Sequence, residues 1–145
     1  MDFYRRAFGA IELYRSELPS GGGLHIHLQV ADTLVMLTDE MTAPENDESI
    51  NSQIVLRAPQ SLGGNSVLLQ LTVEDADEIY QRALDAGATP ALPLSDTFWG
   101  DRYGWVTDPL GHIWEISAPL EELTPEQVQE RMLALGRSHT GAEGI

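Results

Sequence analysis

The chain has no cysteine and no lysine, and its positive charge comes from Arg alone. Without cysteine there is no disulfide framework, no thiolate metal site and no thiol nucleophile. With 8 Arg against 23 Asp and Glu, the net charge is −15. Phosphate neutralisation needs clustered cations, so this balance argues against nucleic acid and against anionic membrane surfaces as partners. No apolar run approaches the roughly 20 residues of a membrane span. The opening MDFYRRAFGA lacks the shape of a signal peptide and reads straight into a helix. A cytoplasmic protein is the expectation. There is no Gly-x-Ser-x-Gly elbow, and SLGGNS lacks the Lys and helix context of a phosphate loop.

What remains is one domain of 145 residues, 42 % of them hydrophobic, built on an internal repeat. FYRRAFGA (3–10) aligns with IYQRALDA (79–86), with Tyr, Arg, Ala and Ala shared. Phe3, Ala7 and Phe8, and then Ile79, Ala83 and Leu84, fall at helical spacing. Gly9 and Gly87 are the stop signals. A strand pair follows each helix: LHIHLQV and TLVMLTDE around Ala31-Asp32, then DRYGWVT and HIWEISA around Asp108-Pro-Leu-Gly. SVLLQLTVED is a strand leading into the second helix, and its counterpart before the first helix is absent. Truncation of the chain start is the expectation there, since an unpaired sheet edge invites association. TAPENDESIN and RAPQSLGGNS are polar loops. Thr124-Pro125-Glu126-Gln127 opens a terminal helix expected to end near Leu135, before a frayed tail.

Side chains alternate across a strand, so register assigns each residue a face. A tight turn at 108–111 pairs Thr107 with His112, Trp105 with Trp114 and Gly104 with Glu115. That register puts Trp105, Trp114 and Ile116 under the helices. It puts Arg102, Gly104, Val106, Ile113, Glu115 and Ser117 on the other face. In the first hairpin Val30 pairs with Thr33, His27 with Met36 and His25 with Thr38. The face away from the helix then carries His25, His27, Met36 and Thr38. Leu69, Leu71 and Val73 face the helix, while Leu68, Gln70 and Thr72 face away. If the two halves curl together, Glu115, Arg102, His25, His27, Gln70 and Thr72 line one cup, the default place for a ligand.

FWGDRYGWVTDPLGHIWEIS, PQSLGGNS, VEDADEIYQRALDAGA and FYRRAFGA together resemble the vicinal oxygen chelate superfamily, which holds the glyoxalase, bleomycin-resistance and extradiol-dioxygenase proteins. They are most similar to its PhnB-like branch, from Met1 to about Leu135. The resemblance implies an α+β fold of paired βαβββ modules forming a cup, usually in a homodimer. Module 1 would span about 1–42, a linker 43–65, module 2 66–119 and the terminal helix 124–135. It also implies a divalent ion held from up to four strand positions. Glu115 matches the last of these. Met36 and Leu68 or Gln70 stand where other ligands belong, and the fourth falls on the absent strand. Fe, Mn, Ni or Zn is the possible cofactor.

Two uses of the cup follow. One is binding of a small organic molecule by His25, His27, Gln70, Thr72, Trp99 and Arg102, and the reading leans this way. The other is a metal-dependent lyase, isomerase or dioxygenase. In that case His25, His27 and Glu115 hold the metal as a two-His, one-carboxylate set, or Glu115 acts as a general base. Arg102 could neutralise Glu115 as a plain ion pair. Asp101 is expected to fix the FWGDRYG turn. Val128, Met132 and Leu135 form a stripe for core cover or a dimer contact.

Overall fold

The computed structural model describes residues 1–17, 23–42 and 55–139. The polar stretch at 43–54 and the tail beyond 139 lie outside the described residues. The elements run α1 (Asp2–Phe8), β1 (Ile11–Glu17), β2 (Leu24–Val30), β3 (Thr33–Thr38), β4 (Met41–Thr42), β5 (Val55–Leu56), α2 (Pro59–Leu62), β6 (Leu69–Thr72), α3 (Ala76–Ala86), β7 (Thr89–Asp96), β8 (Asp101–Thr107), β9 (Ile113–Pro119) and α4 (Pro125–His139). Sheet 1 has the order β1-β2-β3 and sheet 2 the order β6-β9-β8-β7, while β4 and β5 pair by themselves. β6 runs parallel to β9, and β3, the counterpart of β9, has no such partner among the described residues.

The repeat read from sequence is the packing axis of the molecule. Ala7 and Ala83, equivalent positions in it, are both fully buried, so their small side chains let α1 and α3 approach closely. Around that contact the Arg6 guanidinium donates to Ala86 O, and Arg82 donates to Arg6 O. Gly9 and Gly87 end the helices in the left-handed region, at φ 66° and 112°. Asp75 caps α3 by accepting the Glu78 N–H at 2.9 Å.

One core joins the helices to both sheets. Ile26, Leu28 and Val30 of β2 and Val106, Trp114, Ile116 and Ala118 of sheet 2 belong to the same buried cluster as Phe3, Tyr4, Phe8, Tyr80 and Ala83. Trp114 sits 4.8 Å from the Phe8 ring and 5.8 Å from Tyr4, so α1 covers part of sheet 2 beside α3. Burying each Val, Leu, Ile or Phe among them stabilises by about 1.5–3 kcal/mol. The helices belong to the core on the inner face of each sheet, and the other face of each sheet points away from that core.

The first hairpin has the expected register: Val30 with Thr33, His27 with Met36 and His25 with Thr38. The second is shifted by one residue. Thr107 pairs with Ile113, Val106 with Trp114, Trp105 with Glu115 and Gly104 with Ile116. The cause is Asp108, which is buried and caps its own loop. Its Oδ1 accepts the N–H groups of Leu110 and His112, and its Oδ2 accepts the Tyr4 hydroxyl and the Trp114 indole N–H. Gly111, at φ 91°, closes this longer turn. The face expectation is corrected accordingly. Trp105 leaves the helix side, and Gly104, Val106 and Arg102 join it. Gly104 has no space above Glu115. A Cβ there would lie 3.0 Å from the backbone of Leu92 and Leu94, so glycine admits the close passage of β7.

The terminal helix opens with the expected reciprocal cap. Thr124 N–H donates to Gln127 Oε1 at 2.8 Å, and Gln127 N–H donates to Thr124 Oγ1 at 3.3 Å. It continues through Gly136 to His139 rather than stopping near Leu135. Met132 and Leu135 remain exposed, so they are not core cover in the single chain. No helix is long and apolar enough to cross a membrane among the described residues.

Candidate functional site

The corrected register gathers a different set of residues on the outward face of sheet 2. One row crosses three strands: Gln70 of β6 lies beside Glu115 of β9, which lies opposite Trp105 of β8. The next row holds Thr72, Ser117 and Tyr103 in the same order. The rings of Trp99, Tyr103 and Trp105 form a chain, with centroids 5.3 Å and then 6.3 Å apart in edge-to-face geometry. Phe98 extends it at 4.9 Å from Trp99.

Asp101 holds this row in place. Its Oδ2 accepts the Trp99 indole N–H at 3.2 Å and the Ser117 hydroxyl at 2.9 Å. Its backbone N–H and C=O engage Thr97, which closes the loop before β8. Gly100, at φ 97°, is required there, because a Cβ would lie 2.9 Å from Glu121 O. Asp101 thus fixes the turn, as expected from the motif.

The tight-turn register assigns Trp105 to the core, whereas the observed register turns it outward beside Tyr103, and the two are the polar aromatic centre of this face. Burial raises the Tyr103 phenol above its ordinary pKa. Trp105 acts in the opposite direction, and Glu115 raises it further through a hydrogen bond and its charge. The three groups are therefore close enough to act on one another. The Trp105 indole N–H is buried and makes no well-formed hydrogen bond, the nearby Tyr103 phenol being its nearest acceptor. An unpaired buried donor costs about 1–3 kcal/mol, so it marks a position where a ligand or water acceptor is favoured.

Arg102 is not part of this face. It forks onto Asp77 at 2.7 and 2.9 Å and reaches Asp96 at 3.0 Å. These bonds hold the Asp77 carboxyl below its usual range and raise the guanidinium further. Arg102 ties the start of α3 to β8, so the expected pairing with Glu115 does not form.

His25 and His27 stand on the outward face of sheet 1. Their Nε2 atoms are 2.9 Å apart, one donating and one accepting. Tyr14, the β1 partner of His27, packs its ring 5.3 Å from the imidazole. This pair and Glu115 stand on the non-core faces of different sheets. Among the described residues no group of three His, Asp or Glu gathers in metal-binding geometry. One chain therefore does not bring together the expected His25, His27 and Glu115 set. The positions implied by the resemblance fare no better, with Met36 opposite His27 and Gln70 beside Glu115. The residues of a single chain do not fit the metal centre of the chelating relatives.

Beyond Thr72 a groove of about 750 Å³ opens between the Ala31 turn and the start of α3, lined also by Val73, Glu74, Asp75, Glu78 and Pro119. Its counterpart in the repeat, between α1 and the 108–110 turn, is only about 230 Å³.

The sequence pattern of the glyoxalase/bleomycin resistance protein/dioxygenase superfamily matches residues 1–116, and the chain belongs to that superfamily. Uncharacterized proteins of Mycobacterium bovis and Mycobacterium tuberculosis are 41 % identical over 136 residues, 94 % of this chain. The match covers 85 % of the first and 76 % of the second. Among solved structures, TioX from Micromonospora sp. ML1 is similar at 28 % identity and TM-score 0.52, over 85 % of this chain and 87 % of that one. A PhnB protein from Bacillus cereus (18 %, TM-score 0.52, over 81 % and 87 % of the two chains) shares the fold. So does FosX from Listeria monocytogenes, solved with Mn(II) and sulfate (15 %, TM-score 0.54, over 90 % and 83 %).

Proposed function

We propose that the protein binds a small, flat organic molecule on the outward face of sheet 2, in a cup completed by the outward face of sheet 1 from a second copy. The observation that carries this is the Trp99–Tyr103–Trp105 row, in which Trp105 pairs across the strands with Glu115 and its buried indole N–H makes no well-formed hydrogen bond. Aromatic edges and faces bind a planar ligand, Glu115 favours a cation or donor on it, and Gln70 and Thr72 fix its orientation. Glu115 acts here as a binding group.

The second half of the cup follows from complementarity. The outward face of sheet 1 exposes Tyr14, Leu34 and Met36 around the His pair and, among the described strand residues, carries no carboxylate. In a chain of net charge −15 that is a surface suited to the acidic face of sheet 2. Two copies exchanging these faces bury both. A metal-dependent enzyme would need Glu115 and the His pair in one site, and that too requires two copies.

The test has two parts. Sedimentation velocity should give a dimer that Met36→Arg converts to monomer. Tryptophan fluorescence should report binding of N-methylquinolinium, a flat aromatic cation, with affinity falling about tenfold in Glu115→Gln. A wild-type monomer that binds the probe equally well with and without Glu115 would refute both parts.

A further inference from the structure

Glu115 is half-buried on β9, with β6 on one side and β8 on the other. Asp101, on the same face, is already engaged by the Trp99 indole and the Ser117 hydroxyl. Glu115 has only the Tyr103 phenol within hydrogen-bonding reach. Among the described residues no Arg forms an ion pair with it, because Arg6, Arg15, Arg57, Arg82, Arg102 and Arg131 all sit on other carboxylates. A carboxylate accepts at about four lone-pair sites, so one phenol leaves most of that capacity open.

The neighbours of Glu115 on its row are an aromatic ring, Trp105, and an amide, Gln70. Directly opposite residues of an antiparallel pair have Cβ atoms about 4.5–5.5 Å apart. A ring stacked on Trp105 therefore has its edge at the carboxylate. One kind of cation suits both groups at once. A planar, delocalised cation is weakly hydrated, stacks on aromatic faces and presents parallel N–H donors that fork onto a carboxylate. The chain makes this pairing itself where Arg102 forks onto Asp77 at 2.7 and 2.9 Å. An N-alkylated aromatic cation stacks but has no N–H to give. A neutral amide sets an oxygen beside its N–H, and the carboxylate repels that oxygen. We propose, on the reading of this face as a ligand site, that its ligand class is the aryl amidinium, with the ring stacked on Trp105 and two N–H groups forked onto Glu115.

Calorimetric titration of the full chain with three probes of similar size tests this. 2-Naphthamidine carries the charged fork, N-methylquinolinium the charge without N–H, and 2-naphthamide the shape without the charge. In the unsubstituted protein 2-naphthamidine should bind at least about tenfold more tightly than either of the others. That margin should shrink below about threefold in Glu115→Gln, whose folding circular dichroism checks. Equal affinities for 2-naphthamidine and N-methylquinolinium would overturn the fork and leave the ligand face standing. A margin that survives Glu115→Gln would overturn it too, since the fork would then lie on another group. Binding of none of the three would remove the ligand face itself, and the amidinium with it.

Discussion

The two hairpins of this molecule descend from one pattern and differ in their turns. Between Val30 and Thr33 the chain turns in two residues, with Ala31 in the left-handed region at φ 51°. Between Thr107 and Ile113 it takes five, wrapped around a buried carboxylate. The short turn leaves a wide groove at the start of α3, while the long one fills the equivalent space against Tyr4. The long turn also rotates β8 by one residue relative to β9, sending Trp105 and Tyr103 outward beside Glu115. A side chain that caps a loop thereby decides which aromatics reach the ligand face.

The largest effect should come from removing that cap. Asp108→Ala leaves the Tyr4 hydroxyl, the Trp114 indole and two backbone donors without their acceptor. A loss of roughly 3–5 kcal/mol is expected in urea unfolding. The equivalent change in the first hairpin, Asp32→Ala, touches one exposed contact to Thr33 and should cost less than about 0.5 kcal/mol. Equal losses would erase the distinction between the turns.

Next come the two tryptophans. Trp114 is 3 % exposed and packed on Phe8, so Trp114→Ala should cost about 3–5 kcal/mol. Trp105→Phe keeps a ring on the outward face and removes a donor that makes no well-formed hydrogen bond. It should change stability by less than about 1 kcal/mol. A melt in which Trp105→Phe is the more damaging change would restore the tight-turn register.

The smallest effect is electrostatic and sharpens the assignment of Arg102. Its hydrogen bonds depress the Asp77 pKa in the folded state. A depressed carboxyl contributes stability above its unfolded pKa, about 3.9, and loses it as pH falls through the folded value. Thermal melts below about pH 4 should therefore show a shallower acid-side decline in Asp77→Asn than in the unsubstituted chain. The exposed setting keeps the difference small. An identical acid limb would mean the fork contributes nothing in solution.

Much of the fold was legible because local chemistry determines it. The helix stops at Gly9 and Gly87, the Thr124–Gln127 cap, the first hairpin and the direction of Gln70 and Thr72 all follow from residues within a few positions of each other. What was not legible depends on distant partners. Asp108 becomes a hub only when Tyr4, 104 residues away, reaches it. Arg102 could be drawn off Glu115 only by Asp77 on another element. The placing of the His pair and Glu115 on separate sheets depends on how α1 and α3 pack, which the repeat contains but does not orient. The local clues were Gly111, at positive φ, and the Asp108 side chain, which accepts the N–H groups two and four residues on.

The measurement that tests the ligand face most directly is tryptophan quenching by N-methylquinolinium in Trp105→Phe and Trp114→Phe, side by side. The outward position of Trp105 predicts that saturable quenching weakens markedly in Trp105→Phe and persists in Trp114→Phe. Quenching that persists in Trp105→Phe and disappears in Trp114→Phe would contradict it, and would place the ligand on the helix side of the sheet.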